Sequence, residues 1–173
     1  MSTKIAVVGT TCSGKTTVAR QLAVRHGVPH VELDALHWGP GWSEPTPDEF
    51  RARVEEILEG PAWVVDGGYY GKLGDLVLER ADLVVWLDPP LRTILWRLWR
   101  RTIRRIRRGD ELWGGNRETW RGAFFSRNSL FVWALKTHRG RRRRYVERLA
   151  RYETVHLRSG RETEDWLQRS LVD

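Results

Sequence analysis

The segment GTTCSGKTT, Gly9 to Thr17, constrains this chain more than any other. Two glycines five residues apart, followed at once by Lys15 and Thr16, make a turn whose backbone N–H groups converge on one point. A chain of phosphates is what such a point holds best, because the following helix directs its positive end there too. Gly9 and Gly14 permit the turn, Lys15 adds a compact charge, and the Thr16 hydroxyl can hold Mg2+. Thr10, Thr11, Cys12, Ser13 and Thr17 line the same loop and join the candidate nucleotide contacts. The pattern GxxxxGK[ST] arises by chance in roughly one chain in two hundred of this size, so its surroundings matter. They agree with it. KIAVVG (Lys4 to Gly9) is a short apolar, β-branched run. TTVARQLAVRHG has helical periodicity, with Val18 and Leu22 inward, Ala19 and Ala23 beside them, and a stop at Gly27.

Behind the loop, strands and helices alternate. HVEL (30 to 33), AWVVD (62 to 66), DLVVWLD (82 to 88) and TVHLR (154 to 158) read as strands. PDEFRARVEEILEG, the stretch 73 to 80, and ETEDWLQRSL read as helices, with helical material dominating 91 to 152 except at GDELWGGN. This alternation predicts a three-layer α/β fold: a five-stranded parallel sheet with ligands at the carboxyl ends of its strands. At 173 residues the chain can bury a full core within one domain. No run of eighteen apolar residues occurs, and the chain enters its first strand almost directly, so neither a membrane span nor a signal peptide is expected. The single cysteine, Cys12, excludes an internal disulfide and suits a reducing, cytoplasmic setting.

Charge is regional. From Leu91 to Arg148 there are 18 lysines and arginines against four acids, whereas the rest of the chain carries 12 against 18. Such a block meets phosphates or forms a solvated helical surface. Arg141 to Arg144 read as the solvated kind, since consecutive helical residues face different ways.

The run GTTCSGKTTVARQLAVRHGVPHVELDALHWGPGW, then WVVDGGYYG, then DLVVWLDPP with an arginine-rich helix behind it, resembles the P-loop small-molecule kinases. Within them the chain is most similar to the adenylate-kinase-like proteins often labelled topology modulation proteins, over nearly its whole length. The resemblance implies a P-loop NTPase fold with residues 91 to 150 as a helical, arginine-rich lid region. It also implies ATP and Mg2+ as cofactors and a small-molecule acceptor, with nucleoside monophosphates among the candidates.

It further implies roles. Lys15 and Thr16 would serve the β/γ-phosphates and Mg2+. VELD places Glu32 and Asp34 where shikimate-kinase-like enzymes carry a DxD pair, with Asp34 on the acceptor side and Glu32 longer than the usual Asp by one methylene. Asp66 and Asp88 each end an apolar run. Asp66 is the better Mg2+ candidate because nucleotide kinases carry a similar Asp-Gly step, and Asp88, before Pro89 and Pro90, reads as a helix cap. Gly67 and Gly68 leave room for a substrate or phosphate to approach, and Tyr69 continues that wall. Trp38 and Trp42 flank a Gly-Pro-Gly turn where a flat acceptor could be clamped. In the basic helix, Arg97, Arg101, Arg104 and Arg108 share a face, Arg97 and Arg101 being the phosphate candidates, while Leu95, Leu98, Trp99, Ile103 and Ile106 supply apolar contacts. Trp63, Trp86 and Trp166 read as core, and His37 is the histidine nearest the proposed site. The alternative is a nucleic-acid-associated P-loop ATPase, its basic region tracking a phosphate backbone and six tryptophans from Trp86 to Trp133 stacking on bases.

Overall fold

The structure is a computed structural model in which residues 3–116 and 130–169 are described. Five strands, β1 (Lys4–Gly9), β2 (His30–Glu32), β3 (Trp63–Asp66), β4 (Leu83–Leu87) and β5 (Thr154–Leu157), form one parallel sheet in the order β2-β3-β1-β4-β5. All five fall on the apolar runs read from the sequence. β1 is central, with Val7 opposite both Asp66 and Val85 and Gly9 opposite Leu87. The carboxyl end of β1 therefore lies between strands on both sides, at the switch point where open α/β sheets bind ligands.

Eight helices are described: α1 (Lys15–His26), α2 (Leu33–His37), α3 (Pro47–Leu58), α4 (Tyr70–Leu73), α5 (Leu76–Glu79), α6 (Leu91–Arg108), α7 (Leu130–Leu149) and α8 (Gly160–Arg169), with single 3-10 turns at Pro40–Trp42 and Trp113–Gly115. α1 buries Val18, Ala19, Leu22 and Ala23, as its periodicity predicts, and ends at Gly27 in the left-handed conformation. With Trp166 and Leu167 of α8, it covers one face of the sheet. On the other face, α3, α4 and α5 pack on β3 through Phe50, Val54, Leu58 and Leu73. α7 packs on β1 and β4 through Tyr145 and Leu149. Burying a side chain such as Phe50 or Leu58 stabilises the fold by about 1.5–3 kcal/mol, so this second layer is held chiefly by its apolar stripe. The start of α3 is also fixed locally, by a reciprocal capping box between Thr46 and Glu49 with Pro47 at the first helical position.

Three local expectations differ from the structure. Leu33 begins α2 rather than ending β2. The single helix read over 73 to 80 is two short ones, α4 and α5, separated at Gly74, whose φ of 59° breaks the helical path. In α6 the inward row is Ile94, Leu98 and Thr102, while Trp99 is exposed and stacks on the equally exposed Trp96 with ring centroids 5.3 Å apart. The middle of the predicted lid, 117–129, lies outside the described residues. Among those described, no helix is long and apolar enough to cross a membrane.

Candidate active site

The glycine loop sits at the carboxyl end of β1 and turns directly into α1. Ser13 donates its backbone N–H to the Thr10 carbonyl at 3.2 Å, and the Lys15 ammonium also rests on that carbonyl at 2.9 Å. Burial pushes the Lys15 pKa down, while the charges of Asp66 and Asp34 hold it up. The hydroxyls of Thr10 and Ser13 are buried in the loop without a protein partner. Buried polar atoms of that kind are costly unless a ligand satisfies them, so the loop fits a phosphate chain. Cys12 adopts φ 56°, a left-handed conformation that a residue carrying a Cβ takes at a cost.

Behind the loop, the Thr16 hydroxyl lies 3.3 Å from a Glu32 carboxylate oxygen and 3.5 Å from one of Asp66. Two carboxylates and a hydroxyl on adjacent strands and a helix form an oxygen-only set suited to Mg2+. Glu32, at the end of β2 opposite Asp66, reaches Thr16 at the start of α1 and lies within range of the Asp34 charge as well. Its carboxyl is pushed up by burial and then by the charge of Asp66, while hydrogen bonds from Trp113 and Thr16 act against the rise. Asp66 is buried, which raises its pKa, and His30 opposes this through a 2.8 Å contact to its other oxygen. His30, not His37, is thus the histidine at the metal side. It opens β2, opposite Val64, and its ring reaches along the sheet to Asp66 at the carboxyl end of β3, so sequence position alone gave no signal for it.

Asp34 faces the loop from α2. The Tyr69 hydroxyl donates to Asp34 at 2.6 Å, and the Trp38 side chain hydrogen-bonds to Tyr69 in turn, so the carboxylate is held by an aromatic relay. Desolvation first, then the neighbouring Asp34 charge, raises the Tyr69 pKa, keeping the phenol protonated and a donor. Trp38 and Trp42, read from sequence as flanking a place for the acceptor, are in contact with each other. The two rings meet edge to face, with centroids 5.5 Å apart and an interplanar angle of 82°, and Trp42 is largely exposed. Gly67 and Gly68 are closely approached by other parts of the chain. A side chain at Gly67 would come within 2.7 Å of Leu33, and one at Gly68 would meet the Tyr145 hydroxyl, so both glycines serve internal packing.

A second pair of loops closes over this side. Asn116 is buried, accepts from the Trp42 backbone N–H at 3.0 Å, and donates to the carbonyls of Gly39 at 2.9 Å and Trp113 at 2.7 Å. Gly114 lies so close that a Cβ there would fall 2.5 Å from the Gly39 carbonyl carbon. The segments GPGW (39–42) and WGGN (113–116) are therefore interlocked backbone against backbone, with Trp113 hydrogen-bonded to Glu32.

Arg97 is tied to the loop: its guanidinium donates to the Ser13 carbonyl at 2.9 Å. Arg101 is half-buried one turn further along α6, whereas Arg104 and Arg108 are exposed. Arg141, read from sequence as solvated, is half-buried and close enough to Lys15 to lower its pKa. The signal was the spacing of Arg141 with buried Tyr145 and Leu149, which puts all three on the inward face of α7. Asp88 does not cap α6, whose N-cap is Pro90. It is buried and pairs with Arg142 at 2.7 Å and His156 at 3.1 Å, where His156 lies flat on Trp86. The cavity beside that cluster, about 600 Å³ between α7 and β5, shares no lining residue with the glycine loop.

This architecture is the fold of the P-loop kinases. A shikimate kinase from Bacteroides thetaiotaomicron superimposes with a TM-score of 0.57 at 17% identity, over 97% of this chain and 95% of that one. A gluconokinase from Sinorhizobium meliloti gives 0.54 at 22%, over 99% and 94%. A shikimate kinase from Acinetobacter baumannii, solved with shikimate, gives 0.57 at 20%, over 96% and 89%. In sequence, a Pyrococcus furiosus protein described as a "Putative adenylate kinase" is 34% identical over 115 residues, which are 62% of this chain and 61% of that protein. The matched part thus spans about three-fifths of the relative's length. No family model matches the chain.

Proposed function

We propose that the chain is an ATP-dependent phosphotransferase that moves the γ-phosphate of ATP to the hydroxyl of a small acceptor. The observation that carries the reading is the meeting of three elements: the glycine loop with Lys15, the Thr16, Glu32 and Asp66 oxygens, and Asp34 on the facing helix. Asp66 and Asp34 both act on the charge of Lys15, so donor and acceptor sides share one electrostatic centre. Lys15 and the loop N–H groups hold the phosphates, and Arg97, Arg101 and Arg141 add positive charge where negative charge develops. Bound Mg2+ would neutralise phosphate charge and help align the transferring group. Asp34, fixed by Tyr69, orients the acceptor hydroxyl and accepts its proton. Trp113 and the loops joined to it exclude water from that side.

Replacing Asp34 by Asn tests the reading, because it keeps size and removes the charge. Acceptor-stimulated ADP release should fall by roughly a hundredfold or more, the usual worth of a positioned acid or base, with ATP affinity little changed. Unchanged stimulation in Asp34→Asn would remove this residue from the mechanism. One observation favours a second reading, the nucleic-acid-linked ATPase: the exposed Trp96 and Trp99 pair on an arginine-rich helix. In that case single-stranded nucleic acid should stimulate ADP release steeply less as salt rises, and Asp34→Asn should leave it unaffected.

A further inference from the structure

The cavity between α7 and β5 belongs neither to the glycine loop nor to the residues gathered around Asp34. Trp86, Thr154 and His156 floor it on the sheet face that α7 covers, whereas the loop leads into α1 on the opposite face. Its outer wall is one stripe of α7. Arg139, Arg142, Arg143 and Val146 recur at the three- and four-residue spacing that puts side chains on one face of a helix. Arg158, just past the end of β5, adds a fourth guanidinium. At about 600 Å³ the space suits a small organic molecule, since pockets for such ligands span roughly 300–1,000 Å³.

Floor and rim differ in chemistry. The floor is flat and aromatic: His156 lies on Trp86 with ring centroids 3.7 Å apart and planes within 6° of each other. Leu149 and Val146 line the same space, Val146 as an aliphatic side chain left 55% exposed. The rim is cationic, and its charge is only partly answered. Buried Asp88 takes Arg142 at 2.7 Å and His156 at 3.1 Å. Glu147 lies 3.9 Å from Arg143, but both side chains are exposed, so that pair contributes little. Glu162 accepts the Arg158 backbone N–H, and among the described residues neither Arg139 nor Arg158 has an ion-pair partner. Arg139, Arg143 and Arg158 are thus available at the edge of an aromatic floor. Guanidinium forks match phosphate and carboxylate oxygens, and an aromatic floor buries an apolar ring.

We propose that this cavity is a second ligand site, for a small organic anion that joins a phosphate or carboxylate to an apolar ring. The inference does not rest on the phosphotransferase reading. Naphthyl phosphate is the probe, with inorganic phosphate for the charge alone and naphthol for the ring alone. Each is titrated calorimetrically into the protein, with and without Mg2+ and a nonhydrolysable ATP analogue. Naphthyl phosphate should bind at one site, at least about tenfold more tightly than either fragment, because charge-assisted contacts and ring burial act together. Its Kd should be the same with the analogue present. It should rise about tenfold or more when Arg139→Ala and Arg143→Ala are combined, and likewise in Val146→Trp, which fills the cavity and keeps its charge. The three replaced side chains are exposed, so urea melts of both variants should match that of the native protein. Displacement of the probe by the analogue would place the anion in the glycine loop and overturn the proposal. So would inorganic phosphate binding as tightly as naphthyl phosphate, since the arginines would then be a diffuse cationic surface. A Kd that neither variant alters, or the lack of saturable binding by naphthyl phosphate, would overturn it equally.

Discussion

Substituting Asn116 by Ala should loosen the roof of the site in a way that can be calculated from its contacts. The side chain makes three hydrogen bonds: one from the Trp42 N–H and one each to the carbonyls of Gly39 and Trp113. Each contributes about 0.5–1.5 kcal/mol net, and all three partners would be left in a site where Asn116 itself is buried. A loss of about 2–4 kcal/mol follows, equivalent to a fall in Tm of roughly 5–12 °C for a chain of this size. Urea melts monitored by tryptophan fluorescence would measure the global effect. Opening could instead be confined to the two loops, so amide hydrogen exchange provides the second readout. The Trp42 N–H, now accepted by Asn116, should exchange faster in the variant by a factor matching the energy lost. In the activity assay, the acceptor KM should rise more than the ATP KM. A stability loss under about 0.5 kcal/mol together with unchanged exchange at Trp42 would refute the claim that Asn116 joins the loops.

Other substitutions address other parts of the site. Lys15→Ala should abolish ATP binding, measured calorimetrically, in a protein whose circular dichroism is unchanged, because on the proposed function the buried ammonium serves phosphate. Cys12→Val should cost about 1–2 kcal/mol in a thermal melt, since a β-branched residue is strained at the positive φ found there, whereas Cys12→Gly should retain ATP binding. Labelling of the Cys12 thiol should slow when Mg-ATP fills the loop. Glu32 has a folded pKa above its ordinary 4.5, so the folded state holds a proton that the unfolded state has lost, and stability falls as pH rises through that interval. Urea melts without Mg2+ should show this slope in the native protein and a shallower one in Glu32→Gln, where the raised pKa of buried Asp66 remains.

Much of the fold was legible because its signals are local. The apolar β-branched runs, the 3.6-residue spacing in α1 and the Ser-Gly-Lys-Thr turn each depend on neighbours a few residues away. Gly74 was readable as a helix breaker in principle, since its φ of 59° is one that glycine adopts without strain. The site was half legible. Lys15, Thr16, Asp34 and Asp66 meet as read, since strand ends and the loop converge by topology alone. Arg141, His30, Trp113 and Asn116 were missed because each acts on a residue far along the chain: Asn116 lies 74 positions from Trp42. For the same reason Asp88 was misread. A carboxylate before two prolines looks like a cap until Arg142 and His156 are brought beside it.

The central position of β1 also links ligand binding to the assembly of the whole chain. Thr16 belongs to the helix that follows β1, but the carboxylates beside it come from β2 and β3, 16 and 50 residues away. Arg97, which rests on the loop, is 84 residues from Ser13. No partly folded intermediate that lacks β3 or α6 can present these groups together, so on the proposed function a nucleotide would be bound only once those elements are in place. Mg-ATP should therefore act as a folding ligand, adding about 2.7 kcal/mol at a hundred times its Kd and shifting newly made chains toward the native state as they close around it.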